Sequence, residues 1–129
     1  MGRGVELNRP EVLDEVTRAF VAYDKALRAN DVEALNDFFL EGPLATRFGI
    51  GQELYGSDQI AAWRRQAPPL VRAPLRRYDV VTLDTDVALV TAEWEEPEVI
   101  GRQTQTWVRA AAGWRVLSGH VSTRAAVNR

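Results

Sequence analysis

The chain has 129 residues, of which 46% are hydrophobic and 26% are charged, as in one ordinary globular domain. Its 16 basic and 18 acidic residues give a net charge of −2, which argues against nucleic-acid and membrane partners, because both attract a basic excess. The absence of cysteine excludes disulfides, thiolate catalysis and cysteine-ligated metal sites. No apolar run approaches the ~18 residues of a membrane span, and the first residues lack a signal-peptide core. We therefore expect a single domain over residues 1–129 in the cytoplasm.

Helical periodicity dominates the first part of the chain. A helix is predicted to begin near Pro10, because proline is well tolerated in the first turn of a helix. Its apolar stripe consists of Leu13, Val16, Phe20, Tyr23 and Leu27. Asn30 and Glu33 have the spacing of a capping box, which predicts a second, short helix ending at residues 42–43.

The pattern then changes from helices to strands. Residues 44–50 are predicted to form a short strand or an extended loop, and Ser57 is predicted to cap a third helix that ends before Pro68. Beyond it, a period of 2 predicts four strands at residues 76–83, 87–96, 99–110 and 114–123, joined by links short enough for hairpins. This order predicts an α+β fold in which three N-terminal helices pack on a curved, mostly antiparallel sheet.

Polar residues at predicted interior positions mark a candidate ligand site. Helices that cover one face of the sheet incompletely leave a cavity between the first helix, the short strand and the sheet. Arg47 lies in the apolar run 44–50, and a buried guanidinium keeps its charge and needs an anionic partner. That partner is either an internal acid, such as Glu53 or Glu93, or a ligand carboxylate. Tyr23 is either a core residue whose hydroxyl bonds to the backbone or reaches the surface, or a hydrogen-bond or proton donor in the cavity.

Three further positions are candidate substrate contacts. His120 is the only histidine and, by strict alternation, shares a face with Trp114; it is either a hydrogen-bonded core residue or a ligand contact. Gln103 and Gln105 are either solvated, or Gln105 reaches the cavity and binds an amide or urea group. Trp63 is a core residue or a wall of the pocket. We expect neither a metal nor a cofactor, because metal-ligand spacings and glycine-rich phosphate loops do not occur in the sequence.

Two blocks of the sequence resemble a known family. The first block is Arg-Phe-Gly at 47–49, Glu-Leu-Tyr-Gly at 53–56, and then Ile60 and Arg64. The second block is Gly-Arg-Gln-Thr-Gln-Thr-Trp-Val at 101–108, Gly-Trp-Arg-Val at 113–116 and His-Val-Ser at 120–122. Together they are similar to the AtzH-like family of the SnoaL-like, nuclear-transport-factor-2-like superfamily, and the resemblance covers most of the chain.

The resemblance implies a cone-shaped, nuclear-transport-factor-2-like (cystatin-like) fold and a homodimer packed through the open side of the sheet. It implies a lyase activity, the cofactor-free decarboxylation of N-carboxylated ureas such as 1,3-dicarboxyurea in nitrogen-compound catabolism. Relatives also accompany amidases, so an amidase of the same pathway is an expected partner. The tyrosine and arginine that the family assigns to the pocket correspond here to Tyr23 and Arg47.

The expected function follows from these residues. Ketosteroid isomerases, which resemble this chain distantly, have an acid as base where Arg47 stands, so proton abstraction next to a ketone is not expected. We expect Arg47 to hold a substrate carboxylate and Tyr23 to donate a hydrogen bond or proton to the nitrogen that carbon dioxide leaves. Trp63, Gln105 and His120 are the expected substrate contacts. The alternative is a non-catalytic carboxylate-binding or amidase-accessory protein.

Overall fold

The computed structural model describes residues 4–126. Along this range the elements are α1 (Pro10–Arg28), α2 (Val32–Asp37), β1 (Thr46–Gly49), β2 (Gln52–Tyr55), α3 (Ser57–Gln66), β3 (Leu75–Leu83), β4 (Val87–Glu96), β5 (Val99–Ala110) and β6 (Gly113–Ala125). The strands form one sheet in the order β2-β1-β6-β5-β4-β3. All neighbouring strands are antiparallel except β1 and β6, which are parallel. The fold is α+β, as the sequence predicts.

The arrangement of the first half differs from the prediction of three N-terminal helices. The hairpin of β1 and β2 separates α3 from α2, so the three helices do not follow one another at the N-terminus. Strand β2 has no counterpart among the predicted elements, because four residues are too few for a period of 2 to stand out. The four long strands agree with the prediction more closely than the first half does. Strands β4 and β5 have the predicted bounds, and β3 and β6 are slightly longer than predicted.

Helix α1 presents one apolar stripe to the sheet. Its buried residues are Val12, Val16, Phe20, Tyr23 and Leu27, so the predicted stripe is confirmed except that Val12 is buried and Leu13 is only half-buried. Pro10 lies in the first turn, where a missing backbone N–H costs no helical hydrogen bond. This helix therefore places Tyr23 near its C-terminal end and against the sheet.

The cap of α2 lies one residue later than predicted. Asn30 has a φ of 54°, a left-handed conformation that asparagine tolerates, and it forms the turn that follows α1. Asp31 is the N-cap, and its Oδ1 accepts a hydrogen bond from the backbone N–H of Ala34 at 3.2 Å. The predicted Asn30–Glu33 capping box is therefore wrong, because both Asn30 and Asp31 are favourable caps and the turn uses the asparagine.

Ser57 begins α3 but does not cap it. Gly56 is the N-cap and has a φ of 85°, which only glycine adopts without strain. The Ser57 Oγ accepts a hydrogen bond from the backbone N–H of Gly42 at 2.9 Å. The predicted capping role is therefore wrong; the hydroxyl ties the start of α3 to the loop before β1.

Strand β6 contains one extra residue. Trp107 of β5 lies opposite Val116, but Thr106 lies opposite Ser118, so Leu117 forms a bulge. Because side chains alternate along a strand, one inserted residue exchanges the two faces beyond it.

This bulge decides where His120 lies. Trp114 is buried on the inner face before the bulge, whereas beyond it Gly119 is buried and His120 is exposed. The prediction that His120 shares a face with Trp114 is therefore wrong. Strict alternation fails at this point because a bulge leaves no clear signal in the sequence.

The core lies where the three helices meet the inner face of the sheet. Its largest fully enclosed apolar side chains are Phe20, Leu35, Ile60 and Trp107. Within residues 4–126, none of the helices is both long enough and apolar enough to cross a membrane. The core therefore fills one part of the inner face, and the rest of that face borders a cavity.

Candidate functional site

A cavity of about 460 Å³ lies between α1, α3 and the inner face of the sheet. Its wall also includes part of the irregular segment 67–74, which follows α3. This volume is within the range of about 300–1,000 Å³ that is typical of small-molecule sites. Of the residues predicted from the sequence, the cavity brings together Tyr23, Arg47, Trp63 and Gln105.

Arg47 reaches the cavity from β1. Its Nη1 donates a hydrogen bond to Oε1 of Gln52, and its guanidinium carbon lies 4.3 Å from the centroid of the Trp63 ring. Of the two candidate internal acids, Glu53 is exposed and Glu93 pairs with an arginine of β3. Within residues 4–126, no carboxylate oxygen lies within 4.0 Å of the Arg47 guanidinium. The described part of the chain therefore gives this charge no anionic partner.

The surroundings of Arg47 are unfavourable for its positive charge. Burial lowers the pKa of Arg47 below its ordinary value, the charge interaction with nearby Tyr23 raises it, and the positive charge of Arg64 lowers it. Arginine nevertheless stays charged in proteins. The cavity wall therefore carries a positive charge that a bound anion would stabilise.

Gly49 creates the space that the Arg47 side chain occupies. Residues two apart in a strand point to the same face, and Gly49 lies opposite Gln52 in the β1–β2 hairpin. A Cβ atom on Gly49 would lie 2.7 Å from Nη1 of Arg47 and 2.9 Å from Oε1 of Gln52. The order Arg-Phe-Gly thus has a physical reason, since the glycine lets the guanidinium lie against the strand and reach Gln52.

Arg64 is a second arginine of the cavity wall, and the sequence-based reasoning assigned it no role. It is 7% exposed, its Nε and Nη2 atoms have no hydrogen-bond partner within residues 4–126, and its guanidinium carbon lies 4.8 Å from the Trp63 ring centroid. A signal for it exists in the sequence. Arg64 follows Ile60 by four residues, so helical periodicity places both on the buried side of α3.

Tyr23 lines the same cavity and lies near Arg47. Its ring is buried and packs edge-on against Phe38 and Trp107, with centroid distances of 5.6 and 5.9 Å. Its hydroxyl makes no hydrogen bond to any residue of the described range 4–126, although the ring is fixed. The alternative of a core tyrosine bonded to the backbone is therefore not what the structure shows.

Two glutamines form the floor of the cavity. Gln105 is 2% exposed, and its Oε1 accepts a hydrogen bond from Nε1 of Trp107 at 3.0 Å. That bond orients the amide and leaves its NH₂ group available as a donor. Gln103 is also buried and lines the cavity, so the interpretation of these residues as solvated is wrong.

A buried ion pair lies at another part of the wall. Nη2 of Arg72 donates to Oδ1 of Asp24 on α1, and the guanidinium carbon of Arg72 lies 5.1 Å from the Trp94 ring centroid. The neighbouring Glu96 lines the cavity and accepts a hydrogen bond from the backbone N–H of Ala73 at 3.2 Å. Sequence patterns did not indicate Arg72, because it lies in a segment without regular periodicity.

His120 lies outside the cavity. It is exposed on the outer face of the sheet, and its ring centroid is 5.8 Å from that of Phe48. The bulge in β6 turns Gly119 and Val121 toward the cavity instead. The expectation that His120 contacts substrate is therefore corrected by the structure.

A family model described as AtzH-like matches residues 5–126. The chain belongs to the AtzH-like family. The match runs from the segment before α1 to the end of β6, so it includes all the cavity residues described above. The resemblance found in the sequence is thereby confirmed.

Solved structures similar to this AtzH-like chain have the same fold. A protein of unknown function from the DUF3225 family of Pectobacterium atrosepticum SCRI1043 is 40% identical, with a TM-score of 0.87 over 92% of this chain and 94% of that chain. A cystatin-like fold protein from Burkholderia xenovorans LB400 is 39% identical, with a TM-score of 0.90 over 96% and 100% of the two chains.

More distant neighbours show the fold alone. A putative ketosteroid isomerase from Parabacteroides distasonis ATCC 8503 is 18% identical, with a TM-score of 0.63 over 80% of this chain and 83% of that chain. Comparison with curated protein sequences finds no match. The AtzH-like chain therefore has a nuclear-transport-factor-2-like, cystatin-like fold.

Proposed function

We propose that this AtzH-like protein binds small organic acids in its cavity and decarboxylates N-carboxylated ureas or ureido acids without a cofactor. The observation that carries the proposal is the Arg47 guanidinium, which lines the cavity and has no carboxylate partner within residues 4–126. Arg47 is half-buried, and a charge withdrawn even partly from water without a partner is costly, so a site of this kind favours a ligand of opposite charge.

The ligand carboxylate is proposed to bind the N–H groups of Arg47 that Gln52 does not use. A guanidinium can donate two parallel hydrogen bonds to one carboxylate, and such charge-assisted bonds are about twice as strong as neutral ones. The NH₂ group of Gln105 is suited to donate to a urea carbonyl, because its own carbonyl is held by Trp107. The cavity therefore offers donors for both parts of a ureido acid.

The proposed chemical step breaks the bond between nitrogen and the carboxylate carbon. Carbon dioxide leaves, the electron pair stays on nitrogen, and the Tyr23 hydroxyl gives its proton to that nitrogen directly or through water. Solvent water then returns a proton to Tyr23. The phenolate formed in between lies near Arg47, whose positive charge stabilises it. General acid catalysis of this type typically contributes about 10²–10⁴-fold to a rate.

The first test measures carbon dioxide release from freshly prepared 1,3-dicarboxyurea. We expect the parent protein to exceed the buffer rate. Arg47→Met should raise KM by about 10- to 100-fold, the effect of losing one charge-assisted hydrogen bond or two. Tyr23→Phe should lower kcat by about 10²-fold with little change in KM, because it removes the proton but not the carboxylate contact.

Arg18→Met is the matched control for this test, because Arg18 lies on the exposed side of α1 and its side chain is 80% exposed. The Arg18→Met variant should leave both kcat and KM unchanged. If Arg47→Met turns over 1,3-dicarboxyurea as well as the parent does, the proposed role of Arg47 is wrong.

The second candidate is a non-catalytic carboxylate-binding or amidase-accessory protein. It is favoured by the scarcity of acids and bases in the cavity: within residues 4–126, Tyr23 and Glu96 are the groups of the wall that can give or take a proton, apart from the arginines. A stabilised melting transition with small acids, without any carbon dioxide release, would support this candidate over the enzyme.

Three further expectations stay proposals. We infer that the protein forms a homodimer through the outer face of the sheet, which exposes apolar side chains on β3 and β4. A cytoplasmic location is likewise proposed, and fractionation of cells that produce the protein would test it. An amidase partner is proposed on the family resemblance alone, and co-purification from the source cell would test it.

A further inference from the structure

Three exposed apolar side chains lie at the mouth of the cavity. Ile50, Leu70 and Val71 line its wall, although they are 69%, 43% and 90% exposed. Tyr23 and Gln105, which line the same cavity, are buried. The cavity therefore has an enclosed part that is polar and an open part that is apolar, and the proposed reaction uses only the enclosed part.

Ile50 lies at the tip of the hairpin that carries Arg47. Gly49 of β1 pairs with Gln52 of β2, so residues 50 and 51 form a two-residue turn. Such turns favour glycine, asparagine and aspartate, which adopt positive φ angles and tolerate water. Gly51 fits this rule with a φ of 71°, whereas an isoleucine at position 50 leaves a large apolar side chain in water. Its place beside the cavity indicates that a ligand covers it.

Leu70 and Val71 lie in the irregular segment that follows α3, next to residues that are anchored. The Arg72 side chain is buried and pairs with Asp24, and the backbone N–H of Ala73 donates a hydrogen bond to a side chain of β4. These anchors hold the two apolar residues at the cavity wall. Single exposed apolar residues are common on protein surfaces, but several around one cavity form a patch that marks a binding site.

The cavity is larger than the polar part of the proposed ligand requires. Its volume is about 460 Å³, and cavities of about 300–1,000 Å³ enclose drug-sized molecules. In the proposed binding mode, the carboxylate and the urea group occupy only Arg47, Tyr23 and Gln105. The rest of the wall includes further apolar side chains, among them Leu27, Phe39, Pro68 and Val121. Space therefore remains for an apolar group attached to the acid.

We infer that the ligand is amphipathic: its acidic group binds at Arg47, and an alkyl or aryl substituent lies against Ile50, Leu70 and Val71. The substrate class is then N-carboxylated ureas or ureido acids whose distal nitrogen carries an apolar group. This inference rests on the proposed function, since it adds a second contact for the acid that the same cavity takes. The three apolar residues determine specificity, because each methylene group that they remove from water favours a longer acid over a shorter one.

The test uses ureidoacetate and its N′-butyl and N′-phenyl derivatives, which carry the carboxylate on carbon and are therefore stable. Calorimetry measures their dissociation constants. In the parent protein, at least one derivative should bind about 10-fold or more tightly than ureidoacetate, as expected when about half of the added apolar surface is buried. When Ile50→Ser and Val71→Ser are combined, this advantage should fall to about threefold or less, while the affinity for ureidoacetate stays within about twofold of the parent value.

Leu44→Ser is the matched control, because Leu44 is 74% exposed and does not line the cavity. It should leave the advantage of the derivatives unchanged. The heat-capacity change of binding is an independent measurement, since burial of apolar surface makes it more negative. It should be more negative for the butyl derivative than for ureidoacetate in the parent, and the difference should shrink in the double variant.

The outcomes separate this inference from the proposed function. If all three acids bind the parent equally, and Arg47→Met weakens all of them, the cavity binds acids but the inference is wrong. If the advantage of the derivatives survives in the double variant, the substituent lies elsewhere and the inference is also wrong. If the double variant lowers the mass measured by light scattering and keeps that advantage, a second copy of the chain covers the mouth instead. If none of the three acids binds the parent, both the inference and the proposed acid-binding function are overturned.

Discussion

The position of the Arg47 guanidinium depends on Gly49, which lies two residues further along β1. Arg47 and Gly49 share the inner face of β1, and the arginine crosses the glycine to reach Gln52. The glycine is needed here for space and not for an unusual φ, because only the missing Cβ opens the path. At the residue scale, the proposed acid binding therefore depends on Gly49 as well as on Arg47, because the glycine leaves the space in which the guanidinium lies.

The variant Gly49→Ala tests this dependence. Its Cβ would lie 2.7 Å from Nη1 of Arg47, so the flexible end of the arginine must move and lose its bond to Gln52. We expect the affinity for the best-binding acid to fall about 10-fold, while the free energy of unfolding changes by less than about 1 kcal/mol. Calorimetry and urea unfolding measure the two quantities. An unchanged affinity would show that the guanidinium does not need this position.

At the scale of elements, the irregular segment 67–74 is held against the rest of the molecule by Arg72. The Arg72 side chain is 3% exposed, pairs with Asp24 of α1 and donates a hydrogen bond to the carbonyl of Ala73 at 2.7 Å. The same segment is bonded to β4 through the Ala73 N–H and Glu96. Few other polar contacts hold it, so this ion pair fixes one wall of the cavity to α1.

The variant Asp24→Asn should loosen that wall. It leaves the Arg72 charge buried without a partner, and breaking a buried pair in this way costs about 3 kcal/mol or more. Urea unfolding should show this loss of stability, and hydrogen exchange should become faster in residues 70–74. The matched control is Asp14→Asn on the same helix, whose ion pair with Arg18 is exposed and should contribute less than about 1 kcal/mol. Equal effects of the two variants would contradict the special role of Asp24.

At the scale of the whole molecule, the outer face of the sheet is the surface best suited to a second copy of the chain. Val81 and Leu89 lie opposite each other on β3 and β4, and they are 36% and 40% exposed. An exposed apolar patch on a sheet face is a common interface. The cavity opens on the other face, so a dimer formed here leaves the site accessible.

Light scattering tests the proposed dimer. The parent protein should have twice the chain mass of 14.4 kDa, and Leu89→Lys should reduce it to one chain, because it places a charge in the interface. Val21→Lys is the control, since Val21 is 49% exposed on α1 and lies outside the proposed interface. A monomeric parent, or a dimer unaffected by Leu89→Lys, would contradict this interface.

Much of the architecture and part of the site could be predicted from the sequence. The bounds of β4 and β5 follow from alternation, the stripe of α1 follows from its helical period, and Arg47 is conspicuous because it interrupts an apolar run. Arg64 was predictable too, since it lies four residues after Ile60 on the buried side of α3. These features are local, and local periodicity is what a sequence displays directly.

Other features depend on residues far apart in the chain. The Leu117 bulge, which moves His120 to the outer face, exists because β5 and β6 pair with unequal numbers of residues. The missing partner of Arg47 could not be known before folding either: Glu53 and Glu93 are both in the sequence, and only the three-dimensional structure directs the first to solvent and the second to Arg76. The sequence by itself therefore determined the fold class and indicated Arg47 as a charge at an interior position, but it did not indicate the buried Arg72. Tertiary packing decided which of them are left without a partner, because pairing depends on distances between elements that local patterns do not encode.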